Sequence, residues 1–195
     1  MALGPLTNIA HLLQQDPQAG GLIGELLVTG GAFAGPGNAG ALGTAEFNIY
    51  NDPEAAQVVF SADIPTTVVG LDVCHQVAFH SPDEFRHLMN GGLEARLAGW
   101  LLANWFRLHP DGTCHLCDPL ALAAAIQPKL LTCRVTPMTV ETSDGQRRGE
   151  TRFGGDGSAV RVATGVDAEG FFSLLDRLLA GAAKPSPHRV DPSSR

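Results

Sequence analysis

The chain has 195 residues, 44% hydrophobic and 17% charged, apolar enough to close one domain's core, which excludes wholesale disorder. Its formal net charge is −7 and its longest basic run is Arg147-Arg148. That argues against a polyanion partner, because neutralising phosphates takes a clustered basic face. No apolar stretch reaches the roughly 20 residues of a membrane helix, no secretory leader is visible, and four cysteines are too sparse for a disulfide scaffold, so a cytoplasmic, reduced protein is expected.

Residues 6–15 predict a short helix with Ile9, Leu12 and Leu13 apolar, stopped by Asp16-Pro17. Residues 22–28 predict a buried strand that ends in Thr29-Gly30-Gly31. From 30 to 44 the chain is nearly all Gly, Ala and Pro. That composition fits either a plain connector or a loop whose backbone approaches a ligand closely. Asp52-Pro53 predicts a capped helix start, with Val58, Val59 and Phe60 on its apolar side. Residues 66–69 predict a second buried strand. Ser81-Pro82-Asp83-Glu84 has the form of a capping box. A longer helix is expected over 92–108, with Leu93, Leu97, Leu101 and Trp105 as a core stripe. Asp118-Pro119 again reads as cap and first turn, opening a helix through Ile126 that is apolar nearly all round and expected to be buried on most sides. Strands are expected at 129–140 and 159–164, separated by a turn at Ser143-Asp144-Gly145. Asp167 caps a final helix with Phe171, Phe172, Leu174, Leu175 and Leu178 inward. Residues 1–180 read as one domain and 181–195 as a disordered tail. Helices alternating with short buried strands give an α/β class with a largely parallel sheet.

Three polar groups interrupt these apolar surroundings: Asn38 in the glycine loop, Glu46 with Asn48, and the run Cys114-His115-Leu116-Cys117-Asp118. On an extended segment Glu46 and Asn48 share a face. A carboxylate beside a carboxamide can grip adjacent hydroxyls, as on a sugar diol, although a polar strand edge has the same pattern. Cys117 precedes an expected helix N-terminus, where partial positive charge lowers a thiol pKa. The pair could be half a zinc site, a redox dithiol or two unrelated core thiols. Asp118 reads as an N-cap.

The motifs Leu3-Gly4-Pro5-Leu6-Thr7-Asn8-Ile9-Ala10, Gly30-Gly31-Ala32, Gly37-Asn38, Ala45-Glu46-Phe47-Asn48, Asp52-Pro53-Glu54-Ala55-Ala56, Leu71-Asp72-Val73, Asp118-Pro119-Leu120-Ala121 and Val140-Glu141-Thr142 follow one another in order. Together they resemble the inosine/uridine-preferring nucleoside hydrolases over about residues 2–180. The resemblance implies a nucleoside-hydrolase-like fold with a Rossmann-like, mostly parallel sheet flanked by helices, in a homo-oligomer. It implies cleavage of the N-glycosidic bond of ribonucleosides to free base and ribose, with a bound calcium ion (Ca2+). Asn38, Glu46 and Asn48 would bind ribose hydroxyls. Thr7 would offer its main-chain carbonyl to calcium, and Asp118 its carboxylate at the junction of metal and substrate. The transition state of such a reaction is oxocarbenium-like and is stabilised by a carboxylate and fixed dipoles.

The chain departs from the family in several places. The aspartate-rich calcium run of the family's first strand is not found, so the sequence reads as roughly the C-terminal three-fifths of a member, truncated before its first strands. Many members have His where Cys117 stands, and that His helps protonate the leaving base. His115, on the same face of an extended segment, is the possible substitute. The family often has Met where Thr29 stands. Two other readings stand beside the hydrolase: an inactive remnant that binds nucleosides or oligomerises, and a thiol redox protein acting through Cys114 and Cys117.

Overall fold

The computed structural model describes residues 1–155 and 157–179. Its elements in chain order are α1 (Thr7–Gln15), β1 (Leu26–Thr29), α2 (Phe47–Asn51), α3 (Pro53–Ser61), β2 (Thr66–Val69), α4 (Leu71–Cys74), β3 (Ala78–Phe79), α5 (Leu93–Leu108), β4 (Cys114–His115), α6 (Cys117–Ile126), β5 (Leu131–Val140), β6 (Thr151–Phe153), β7 (Ala159–Val166) and α7 (Ala168–Leu179). They divide into two compact units. The first comprises residues 1–73 and 131–165, and the second residues 74–130 and, among the described residues, 166–179. The tail expected at 181–195 lies outside the described residues.

The first unit is built on a mostly parallel sheet of order β1-β2-β7-β5-β6. β1 pairs in parallel with β2 and β2 with β7, while β5 and β6 form an antiparallel pair. Ala2 adds a parallel bridge beside β1: its N–H donates to the Leu27 carbonyl at 2.7 Å and its carbonyl accepts from Thr29 at 2.9 Å. Strand alternation turns Leu26, Val28, Val68, Val160 and Val162 into one buried cluster with Leu6 and Ala10 from the α1 region and Ala56, Val59 and Phe60 of α3. Asp52 caps α3 as expected, accepting from the Ala55 N–H at 3.0 Å with Pro53 in the first turn. Its other oxygen accepts a short hydrogen bond from the Thr7 hydroxyl, joining the starts of α1 and α3.

The strand expected over 22–28 begins only at Leu26, where the Leu26 N–H first finds a partner in the Pro65 carbonyl at 2.8 Å. Residues Ala19–Leu22 instead form a 3-10 turn, and Leu22 is 86% exposed. The turn expected at 143–145 is part of a longer connection that returns as β6.

In the second unit β3 and β4 pair antiparallel, and α5 packs on a 3-10 helix at Pro82–Asn90. Phe79, Phe85, Phe106, Phe171 and Phe172 form its aromatic core, with ring centroids 5.1–5.6 Å apart. His87 and Asp176 meet at 2.7 Å, tying the 3-10 helix to α7. The capping box does not form: Ser81 makes no side-chain cap, and the Glu84 carboxylate accepts from the His80 N–H at 3.1 Å instead.

The expected core stripe of α5 faces outward. Leu93 is 77% exposed, Leu97 58%, Trp100 69% and Leu101 65%, while the buried face carries Ala95, Gly99 and Phe106. Small residues won the interior because α5 lies so close to the 3-10 helix that a Cβ on Gly99 would stand 2.7 Å from the Met89 sulfur. Periodicity shows that a helix has two faces, but not which one meets a neighbour. Leu122 and Ile126 of α6 and Leu178 of α7 are likewise exposed.

Replacing Asp52 by Ala removes a cap and the hydroxyl bond from Thr7 together. The expected loss of stability is about 1–2 kcal/mol, read as a lower urea midpoint with an unchanged denaturant slope.

Candidate functional site

In open α/β sheets ligands bind outside the carboxyl ends of the strands. Here β1 and β2 run parallel and both end in glycine, at Gly30-Gly31 and Gly70. Crossed backbone bonds tie the two ends: Gly30 N–H to the Val69 carbonyl at 3.1 Å and Leu71 N–H to the Gly31 carbonyl at 2.9 Å.

The glycine-rich segment leaving β1 is a fixed loop, not a slack connector. Asp72, just past the end of β2, accepts from three successive N–H groups, Phe33 at 2.9 Å, Ala34 at 2.7 Å and Gly35 at 2.9 Å. The Thr151 hydroxyl accepts from the Ala32 N–H at 3.1 Å and donates to the Ala32 carbonyl at 2.8 Å, standing in for a strand neighbour. Phe33 stacks on Phe153 at 4.8 Å, and the Arg134 guanidinium lies 5.3 Å from the Phe153 centroid. At its far end the loop closes on Ala45, whose carbonyl accepts from Asn38 and Ala39, both at 2.9 Å. Only glycine fits at position 37, where a Cβ would stand 2.2 Å from that carbonyl oxygen. Asp72 and Thr151 are anchors that sequence reasoning missed. The available signal for Asp72 was an acidic residue two positions after the glycine that ends a buried strand.

Glu46 and Asn48 do not lie on an extended segment. Glu46 is the N-cap of α2, and Asn48 stands in its first turn. The Glu46 carboxylate, only 5% exposed, accepts from Gly31 at 3.3 Å, Asn48 at 2.9 Å and Ile49 at 3.1 Å. A buried carboxylate needs such donors. Here they join the end of β1 to the start of α2.

The two asparagines receive complementary orientations. The Phe47 N–H donates to Asn38 Oδ1 at 2.8 Å, which leaves the Nδ2 donors of this exposed residue without a partner among the described residues. Asn48 Nδ2 donates to the Thr29 carbonyl at 3.1 Å, which leaves its Oδ1 as an acceptor. One carboxamide thus presents a donor and the other an acceptor, the pair that a hydroxyl group uses.

Asn38, Glu46, Asn48 and Thr7 belong to the first unit, and His115, Cys117 and Asp118 to the second. Thr7 opens α1, so its carbonyl points along the helix toward the fourth residue on, and its hydroxyl is engaged by Asp52. Asp118 is not a cap: α6 begins at Cys117, Leu116 holds the cap position, and Asp118 lies exposed in the first turn. Calcium takes about 6–8 oxygens. Among the described residues no group of three or more His, Cys, Asp or Glu could hold a metal. The described residues therefore do not by themselves build a calcium site.

His115 and Cys117 do not share an extended face, because the chain leaves β4 at Leu116 (φ −100°, ψ 51°) and enters α6. The His115 and His75 rings lie 4.6 Å apart. Burial, then the neighbouring His75 and His80 imidazoles, hold the His115 pKa below its ordinary value. Burial and the nearby Cys117 thiol push Cys114 up, opposite to what a redox thiolate needs. All four cysteines are thiols.

A family model described as inosine-uridine preferring nucleoside hydrolase matches residues 1–173. The pyrimidine-specific ribonucleoside hydrolase RihA of Citrobacter koseri is 34% identical over 92% of this chain and 60% of its own length. RihA of Escherichia coli O1:K1 / APEC is 35% identical over 91% and 60%. Among solved structures, the plant nucleoside hydrolase PpNRh1 superposes with a TM-score of 0.82 at 31% identity, covering 92% of this chain and 61% of that one. The purine-preferring ribonucleoside hydrolase of Gardnerella vaginalis gives 0.78 at 31%, covering 92% and 59%. The chain spans about three-fifths of the length of these relatives. No helix among the described residues is long and apolar enough to cross a membrane.

Two outcomes follow from the geometry. Replacing Asp72 by Ala should raise hydrogen exchange at the amides of Phe33, Ala34 and Gly35 by at least about tenfold, since each loses its acceptor, while exchange in β7 stays unchanged. In a proton NMR titration His115 should titrate below the roughly 6.5 of a free imidazole, and His75→Ala should move it back up.

Proposed function

The chain belongs to the inosine-uridine preferring nucleoside hydrolase family, and we propose that it grips ribonucleosides by the sugar and serves hydrolysis of their N-glycosidic bond to free base and ribose. The observation that carries this reading is the anchoring of both carboxamides near the end of β1: Asn48 Nδ2 on the Thr29 carbonyl, and the exposed Asn38 by its Oδ1 on the Phe47 N–H, which among the described residues leaves a free acceptor on one and free donors on the other. Base-independent gripping suits a family whose relatives include one named pyrimidine-specific and one named purine-preferring.

In this reading Asn38 and Asn48 hold ribose hydroxyls, and Glu46 fixes both ends of the backbone that carries them. Bonds already aimed at the sugar cost no reorganisation when charge develops on the ring. His115 and Cys117 are the proposed groups on the leaving-base side. Partial desolvation and the neighbouring imidazoles lower the His115 pKa, so its assistance as a proton donor would be full below that pKa and lost as pH rises through it. Thr7 and Asp118 are the proposed contributions of this chain to a calcium site. Calcium takes roughly 6–8 oxygens, of which these two residues would supply two. A homo-oligomer in the cytoplasm completes the proposal.

The test uses p-nitrophenyl riboside, whose leaving group needs no proton. Asn48→Ala should lower turnover by about 10²-fold or more, whereas Cys117→Ala should leave it nearly unchanged and slow inosine. Equal rates for wild type and Asn48→Ala, with equal ribose binding by calorimetry, would overturn the assignment.

A further inference from the structure

At the end of β1 a polar group is left over that the site described above does not use. The Thr29 side chain is 6% exposed, and its hydroxyl oxygen has no hydrogen-bond partner among the described residues. Both main-chain groups of this residue are engaged: its N–H donates to the Ala2 carbonyl at 2.9 Å, and its carbonyl accepts from Asn48 Nδ2 at 3.1 Å. Strand alternation sets Thr29 and Leu27 on the sheet face opposite Leu26 and Val28, which pack into the α1 and α3 core. A hydroxyl can donate one bond and accept two, and leaving it buried and unsatisfied is costly.

The neighbours of Thr29 say what satisfies it. Asn48 is bonded to its carbonyl, and Gly31, two residues on, is bonded to Glu46. Thr29 therefore occupies the same strand end as the residues proposed to hold the sugar. We propose that the Thr29 hydroxyl is a further binding residue of this site and hydrogen-bonds one hydroxyl of the ribose. This inference rests on the ribose-binding reading. It makes Thr29 a reader of sugar hydroxylation, and Thr29 at the end of β1 and Asn48 in the first turn of α2 a coupled pair.

The test measures uridine binding by the full chain in calorimetry, together with its 2′-, 3′- and 5′-deoxy analogues. Thr29→Val keeps the shape and removes the hydroxyl. It should weaken uridine about tenfold, leave the melting temperature unchanged or higher, and have no effect on the one analogue that lacks the partner hydroxyl. Thr29→Ser should retain most of the affinity. If Thr29→Val binds uridine as wild type does while Asn48→Ala does not, the Thr29 assignment fails and the ribose site stands. If wild type does not bind, or neither variant changes binding, both readings fall.

Discussion

The buried carboxylate of Glu46 is the interaction on which the rest of the candidate site depends. A charge removed from water must be met by donors, and it is met by backbone N–H groups from two places far apart in the chain, Gly31 after β1 and Asn48 and Ile49 at the start of α2. One side chain thus caps a helix, fixes a strand exit and decides where Asn48 points. The helix it caps has five residues, too short to be stable alone, so the cap and the packing of Ile49 in the core hold it together.

The same device recurs throughout the chain. Asp72 holds three N–H groups of the glycine loop, Asp52 caps α3 and Asp167 accepts from Gly170 at 2.9 Å at the start of α7. In an acidic chain with a net charge of −7, these carboxylates act on the backbone. A loop rich in glycine loses much conformational freedom on ordering. Charge-assisted bonds to several of its amides offset that loss, which is how so flexible a sequence can present Asn38 in one place.

The second unit shows what remains when a helix is amphipathic in a way its neighbours do not use. α5 buries Ala95, Gly99 and Phe106 and leaves Leu93, Leu97, Leu101, Leu108 and Trp100 exposed. Close approach to the 3-10 helix selected the small face, since a large side chain at Gly99 would overlap Met89. In β4 the His115 ring lies 4.6 Å from that of His75, and partial desolvation with repulsion from His75 and His80 lowers its pKa.

The sequence by itself determined the α/β class, the start of α3 at Asp52-Pro53, the strand at 66–69, and the family, because these rest on local signals: a cap with a proline, a short buried run, and motifs in fixed order. It also brought Asn38, Glu46 and Asn48 forward as polar groups in apolar surroundings. Only the tertiary structure decided which backbone groups those side chains bond. Glu46, expected on an extended strand edge, instead caps α2 through the Asn48 and Ile49 N–H groups, and the fold adds a third donor from Gly31, 15 residues earlier. Asp118 moved into the first turn because α6 begins two residues sooner. The anchoring of the loop by Asp72 and Thr151 spans 37–39 and 119 residues. Which N–H a carboxylate reaches, and which face of a helix is covered, are properties of neighbours in space, and a periodic pattern carries no record of them.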